Sequence, residues 1–268
     1  MVAEIRMLNP ADEADVECFK NAYETVLRPA FNNAYARVPS PAFNHNEIIE
    51  LDTLLAYFTS GPIGKGAVVN AIIAENDGKA AGLYLFLTYE NRAMAYVLYC
   101  AVKPKQFSRE DIDAAFTRKM GETPKDNISL RLAQRAQQIV KEIYGWDVPY
   151  ISDLVDTSNI LHRNKFLHLL QRKAVDVPHR IMDTESGRAW GMVVATPEKT
   201  IPKELLLYAL ISYENMMYRK PIEDNFGKEH KNVRALRKAL EKIEGDAAPL
   251  KDIPPMPVKT QRSCSDFH

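Results

Sequence analysis

Cysteine is scarce in this chain: Cys18, Cys100 and Cys264 are the only three in 268 residues, odd in number and widely spaced. That excludes a disulfide framework and a Cys-x-x-Cys metal pair, so no metal is expected and a reducing, cytoplasmic setting is. There is no excess of either charge, because 35 Lys and Arg balance 35 Asp and Glu. A general nucleic-acid binder carries a basic surplus, so nucleic acid is not an expected partner. Long apolar runs are missing as well. Nothing approaches the roughly 18–20 residues of a membrane span, and the first residues hold no apolar signal core. Neither a membrane nor secretion is therefore expected. No internal repeat is present, and the length suits one large domain or a domain with an extension.

What the chain does have is concentrated in residues 67–102, AVVNAIIAENDGKAAGLYLFLTYENRAMAYVLYCAV. Three apolar, β-branched and aromatic runs are separated by turn chemistry, which predicts three consecutive antiparallel strands. The first joint contains Asp77-Gly78, a pair that tolerates positive φ in a tight hairpin. The second, residues 89–92, is polar. The third run, residues 95–102, is almost wholly apolar and is expected near the sheet centre, stopping at Lys103-Pro104.

Around this meander the periodicity predicts a short strand at residues 5–8. A helix should follow, capped by Asn9 with Pro10 at its first position, striped by Val16, Phe19, Tyr23, Val26 and Leu27 and ended near Pro29. Residues 32–46 read as a loop and 47–58 as a second helix. The stretch Gly61-Pro62-Ile63-Gly64-Lys65-Gly66 lacks the GxxxxGK[ST] pattern and leads into a strand, so it reads as a plain turn. A capping box at residues 108–111 starts a helix, and a stronger one carries Leu132, Ala136, Ile139, Val140 and Ile143, with Gly145 as its stop. Residues 150–155 read as a strand, 159–172 as a helix, and 174–182 and 188–195 as closing strands. Thr196-Pro197 marks a boundary, beyond which helices are expected at 202–218, apolar nearly all round, and at 223–244, charged. Residues 247–268 hold four prolines and are expected as an extended tail.

This order resembles the GNAT superfamily of N-acetyltransferases. IAENDGKAAGLYLF is similar to that family's second and third strands, AYVLYCAV to its fourth, and YISDLVDTSNILHRNKF to its fifth strand, asparagine and following helix. The resemblance implies an α+β, α/β-sandwich-like fold: a GNAT-like mixed, mostly antiparallel central sheet flanked by helices, plus a C-terminal helical extension. The expected organisation is a domain over 1–196 with an insertion at 103–129, helices over 197–246 and a tail over 247–268. It also implies acetyl-CoA bound where the fourth and fifth strands splay apart, with a [QR]xxGx[GA] loop wrapping the pyrophosphate at a helix N-terminus, where backbone N–H groups favour an anion. The nearest match is Arg131-Leu132-Ala133-Gln134-Arg135-Ala136, with Gln134 in place of glycine, so acetyl-CoA binding is expected to be weak or absent.

By this resemblance Cys100, Ala101, Val102, Arg131, Gln134, Arg135, Ala136 and Asn159 are candidates for the coenzyme, Arg131 and Arg135 as phosphate contacts. The family's tyrosine acid falls on Phe166, which cannot ionise, leaving Tyr99, Tyr150, His162 or His168 as substitutes. Glu75, Asp153 and Asp156 are candidate bases, and the set favoured for catalysis is Tyr99, Asp153 and His162. Two functions compete: an acyl-CoA-dependent N-acetyltransferase, or a degenerate GNAT fold acting as a structural component, for example a phage virion part. In the second, the C-terminal helices and tail would dock on a protein partner. A third reading, nucleic-acid contact through the basic helix at Lys228 to Lys242, is weakened by the interleaved Glu229, Glu241 and Glu244.

Overall fold

A computed structural model describes residues 3–31, 48–61, 66–103, 128–155, 171–176, 181–182, 189–217 and 231–252. Strand β1 (Glu4–Met7) leads to α1 (Glu13–Ala22). Its cap is Asp12, which accepts from the Ala14 N–H at 2.8 Å, and not Asn9 as the sequence pattern predicts. Asn9 instead turns its Oδ1 to the Ala11 N–H at 3.1 Å, a local bond that delays the helix start. After Ala22 the helix widens into a π-turn (Tyr23–Leu27) and continues as α2 (Arg28–Phe31). The helix therefore passes through Pro29. In an α-helix this ring would collide with the carbonyl four residues back. Here the Arg28 N–H reaches Tyr23 O, five residues back, so the widened turn sits one residue ahead of the proline.

Helix α3 (Leu51–Thr59) follows, with Phe58 stacked on Phe19 at 4.8 Å. The meander forms as predicted: β2 (Ala67–Asn76), β3 (Lys79–Tyr89) and β4 (Arg92–Val102), with Asp77 and Gly78 both at positive φ in the first turn. Tyr144 fastens the second turn, its hydroxyl accepting the Tyr89 N–H at 2.8 Å and lying 2.9 Å from Met94 O. Helix α4 (Ile128–Tyr144) ends at Gly145, and β5 (Tyr150–Val155) lies parallel to β4.

The remaining strands are β6 (Arg172–Val175), β7 (Ile181–Met182), β8 (Ala189–Ala195), β9 (Thr200–Pro202) and β10 (Ala247–Lys251), with α5 (Lys203–Met217) and α6 (Lys231–Glu241) before β10. The result is α+β: one ten-stranded sheet of order β1-β2-β3-β4-β5-β8-β6-β10-β9, with β7 on β8, antiparallel except at β4/β5.

Four expectations are corrected. Arg172, expected at a helix end, opens β6. The single strand at 174–182 is two short ones, both on β8. The sheet also continues past residue 196 through β9. Lastly, residues 247–251, expected in the tail, lie between β6 and β9, with Ala248 fully buried. Pro249 is tolerated there because its carbonyl, the one ladder group it keeps, accepts from the Asp176 N–H at 2.9 Å. The expected loop at 32–46 and all but the ends of the 103–129 insertion lie outside the described residues.

Each sheet face has its own core. Helix α4 covers one with Leu132, Ala136, Ile139 and Val140 over Ile72, Tyr84, Phe86 and Tyr150. On the other, α1, its π-turn, α3, α5 and α6 pack over Leu83, Leu85, Leu87 and Tyr96. Leu206, Ala209 and Leu210 of α5 are fully buried there. Leu206→Asp is expected to cost about 3–5 kcal/mol by leaving an unpaired charge in that core; a melting temperature equal to wild type would refute the packing of α5.

Asp15 ties β1 to α1. It accepts from the Asn9 N–H at 2.8 Å and from Arg6, which also holds Glu75 at 3.0 Å. Burial pushes the Asp15 carboxyl up, but the Asn9 N–H and the Arg6 guanidinium outweigh it and hold it below the ordinary aspartate value. A depressed carboxylate stabilises the fold fully above the unfolded value of about 3.9, and that contribution fades as pH falls below it. Asp15→Asn should therefore lower stability at pH 7, the gap to wild type narrowing below about pH 4. A gap constant from pH 7 to pH 3 would contradict this.

Candidate functional site

The centre of the sheet comes apart by design of its register. β4 is eleven residues long and follows β3 throughout, yet it pairs with β5 only at Ala95↔Tyr150 and Tyr96↔Ile151. Among the described residues no ladder joins β4 beyond Tyr96 to β5, which from Ser152 onward pairs only with β8. The two strands therefore splay into a V, as the resemblance implies. At the same place β4 carries a bulge: Leu85 faces Tyr99 and Phe86 faces Val97, so Leu98 is the extra residue. A bulge sharpens strand twist and takes a residue out of the ladder, which turns β4 away from β5 where the V begins.

One wall of the V is set by α4. A Cβ on Gly82 would meet Leu132 Cδ1 at 2.8 Å and Ile128 Cγ2 at 3.0 Å, so the first turns of α4 press directly on β3. Gly82 pairs with Val102, which places the α4 N-terminal turn beside the free end of β4. Beneath α4 the sheet carries Tyr84, Phe86 and Tyr150, with the Tyr84 and Tyr150 hydroxyls 3.2 Å apart. Burial pushes the Tyr84 phenol up to about 12, although Arg172 pulls it back, and both phenols stay protonated near neutrality. Farther along α4, a cleft of about 470 Å³ opens between Gln134, Gln137 and Lys141 and the start of β5 at Tyr150. It lies at the closed end of the V.

The other wall is set by the π-turn. Tyr23 OH donates to Ile49 O at 2.9 Å, and the Ile49 N–H donates to Tyr99 OH at 3.0 Å, so two buried phenols grip both backbone groups of one residue. Arg28 lies over the Tyr23 ring at 5.2 Å and pairs with Glu24 at 3.2 Å. Burial raises the Tyr23 phenol, and Arg28 only partly offsets it. The clamp holds the segment before α3 against the part of β4 that has left β5.

The structure scatters the residues proposed from sequence. Cys100 and Val102 are half-buried and Ala101 buried, on the part of β4 beyond its last described pair with β5. Tyr99 is on that stretch too, its oxygen occupied by Ile49. Arg131 donates to Ala3 O at 2.9 Å, at the β1 edge, the side of the sheet away from β5. Arg135 pairs with Glu142 at 3.0 Å, and Ala136 is fully buried on the sheet-facing side of α4. Gln134, by contrast, faces β5. Glu75 is held by Arg6. Asp153 pairs with Met192 through the backbone. Asp156, Asn159, His162, Phe166 and His168 lie outside the described residues. The sequence reading passed over Tyr84, Ser152 and Arg172, which no spacing links, and the Tyr23 partner of Tyr99, which reads as one more member of a helical stripe. No described helix is long and apolar enough to cross a membrane.

No family model matches the chain, nor does any curated protein. Solved structures similar to it include a PaiA N-acetyltransferase from Thermoplasma acidophilum in complex with coenzyme A, 15% identical over 72% of this chain and 98% of that one, with a TM-score of 0.43. An N-acetyltransferase from Staphylococcus aureus Mu50 is 12% identical over 74% of this chain and 100% of that one, TM-score 0.42. The ribosomal-protein-S18-alanine N-acetyltransferase from Escherichia coli is 11% identical over 72% and 92%, TM-score 0.40.

The seat of α4 is open to test. Gly82→Ala should destabilise by about 1–3 kcal/mol through overpacking, and Leu132→Ala in that background should recover part of the loss. Strictly additive effects in the double-mutant cycle would mean that α4 does not bear on Gly82.

Proposed function

We propose that the chain is an acyl-CoA-dependent N-acetyltransferase with a divergent coenzyme loop, taking its acyl-CoA in the V between β4 and β5. The observation that carries this reading is the register: two parallel pairs, then a parting with a bulge in β4 at Leu98. Beyond Tyr96 the described part of β5 no longer pairs with β4, and an extended amide-containing arm such as pantetheine can lie along a parting of this kind as an added strand would. The α4 N-terminal turn lies beside Val102, and the positive end of its dipole favours the charge of a pyrophosphate there.

The chemistry follows from these parts. A neutral amine attacks the thioester carbon to form the C–N bond, and backbone N–H groups of β4 near the bulge stabilise the oxyanion. The C–S bond then breaks, the proton shed by the new amide nitrogen passes to solvent, and the coenzyme leaves as thiolate. With a reference thiol pKa of about 8.5 it is a tolerable leaving group near neutrality. A missing general acid slows the step by about 10²–10⁴-fold without forbidding it. Tyr99 acts here by holding Ile49 and so the wall facing the acyl group.

Calorimetric titration with acetyl-CoA tests the site. Binding at about 1 µM or weaker is expected, along with amine-dependent release of free coenzyme thiol. Because Arg131 and Arg135 already serve Ala3 and Glu142, the pair Arg131→Ala, Arg135→Ala should lower the melting temperature and leave affinity within about twofold. A tenfold loss of affinity would restore the phosphate role that the sequence pattern gives them. No binding at millimolar acetyl-CoA would sink the proposal.

A further inference from the structure

Among the described residues, the two halves of the sheet, β1–β4 and the strands from β5 onward, share only two register positions. On the α4 side a line of buried polar groups crosses that seam. Tyr84 of β3 reaches over β4 to place its hydroxyl 3.2 Å from that of Tyr150 on β5. Phe86 meets the Tyr150 ring edge-on at 6.2 Å. From the other side, Arg172 of β6 reaches over β8. Tyr150, Ala195 and Arg172 form one cross-strand row, and the alanine leaves room for the guanidinium to lie across it. Its carbon sits 5.1 Å from the Tyr150 ring centroid, and Nη1 donates to Ser152 Oγ. Tyr84 is fully buried, and Tyr150, Ser152 and Arg172 are each 2% exposed.

The placement gives this line a mechanical role. Tyr150 is the first residue of β5 and pairs with β4, while Ser152 is just past the last β4/β5 pair. Arg172 therefore holds β5 on both sides of the point where the V opens, and Tyr84 ties the same point back to the meander. The small Ala195, which sits between Tyr150 and Arg172 in that row, is what lets Arg172 span β8, while Tyr84 crosses β4 from its register position opposite Cys100.

We propose that Tyr84, Tyr150, Ser152 and Arg172 form a latch that fixes the angle at which β5 leaves β4, and so the width of the groove. The ligand part of this inference rests on the acyl-CoA reading; the latch rests on geometry alone. All four are positioning residues, since each acts through β5.

The test uses the full chain with Tyr84→Phe, which removes one hydroxyl, and Arg172→Lys, which keeps the charge and loses the fork. The readouts are amide exchange at Ala95, whose N–H is bonded to Pro149 O, exchange in the β2–β3 ladder as reference, and acetyl-CoA affinity. Exchange at Ala95 should accelerate about tenfold or more, the reference ladder by less than about twofold, and affinity should fall about tenfold. Unchanged protection of Ala95 in Tyr84→Phe overturns the latch whatever the titration gives, and that variant decides if Arg172→Lys fails to fold. Accelerated exchange with unaltered affinity overturns its control of the groove. Accelerated exchange in a protein that never binds acetyl-CoA supports the latch and overturns the acyl-CoA reading instead.

Discussion

Two parallel residue pairs in the middle of a ten-stranded sheet are the constraint on which the rest of this molecule depends. Parallel neighbours need a crossover, and here α4 makes it, docked on β3 through the absent side chain of Gly82. A seam so short cannot keep two half-sheets in register by backbone bonding alone, so other parts of the chain span it. On the α4 face these are the tyrosines and Arg172. On the opposite face it is the C-terminal region: α5 packs on the meander, with Tyr208 edge-on to Tyr89 at 5.2 Å and under Arg92 at 4.4 Å, and Tyr213 at 6.0 Å from Tyr96. The strands flanking α5 and α6, β9 and β10, belong to the other half-sheet. The described residues after 196 thus contact both halves of the sheet.

The meander was legible because its signals are local. Asp77-Gly78 specifies a turn with both residues at positive φ, and near-continuous apolar runs, buried on both faces, then set the strands on either side. Helix α4 was legible for the same reason, as a stripe of apolar residues closed by Gly145. What was not legible depended on distant partners. Asn9 and Asp12 are both good caps, and only Asp15, which accepts from the Asn9 N–H, decides between them. Residues 247–251 read as tail because a five-residue strand with a proline has no periodicity to detect; they are a strand only because β6 and β9 flank them. The π-turn is invisible in a stripe that fits an ordinary helix.

The site shows the same division more sharply. Sequence reasoning looks for side chains, and the arginine pattern at 131–136 was the closest match available. Yet the motif's residues do not converge on one site: Arg131 is bonded to Ala3 at the β1 edge, while Gln134 lines the cleft at the start of β5. Which side of α4 looks into the V is fixed by the rotation at which Gly82 seats Leu132 and Ile128, and no linear motif encodes that rotation.

On the acyl-CoA reading proposed above, a groove built from backbone has a further consequence. Its recognition groups would be N–H and C=O, which every residue but proline carries, so substitution along β4 could proceed widely while the binding edge persists. The side chains that matter are then those that shape the parting: the extra residue Leu98, Ala195, over which Arg172 reaches, and the buried tyrosines and arginine that hold β5. Such residues act through geometry, at positions that no catalytic pattern selects, which is why the register carries the reading where side-chain motifs do not.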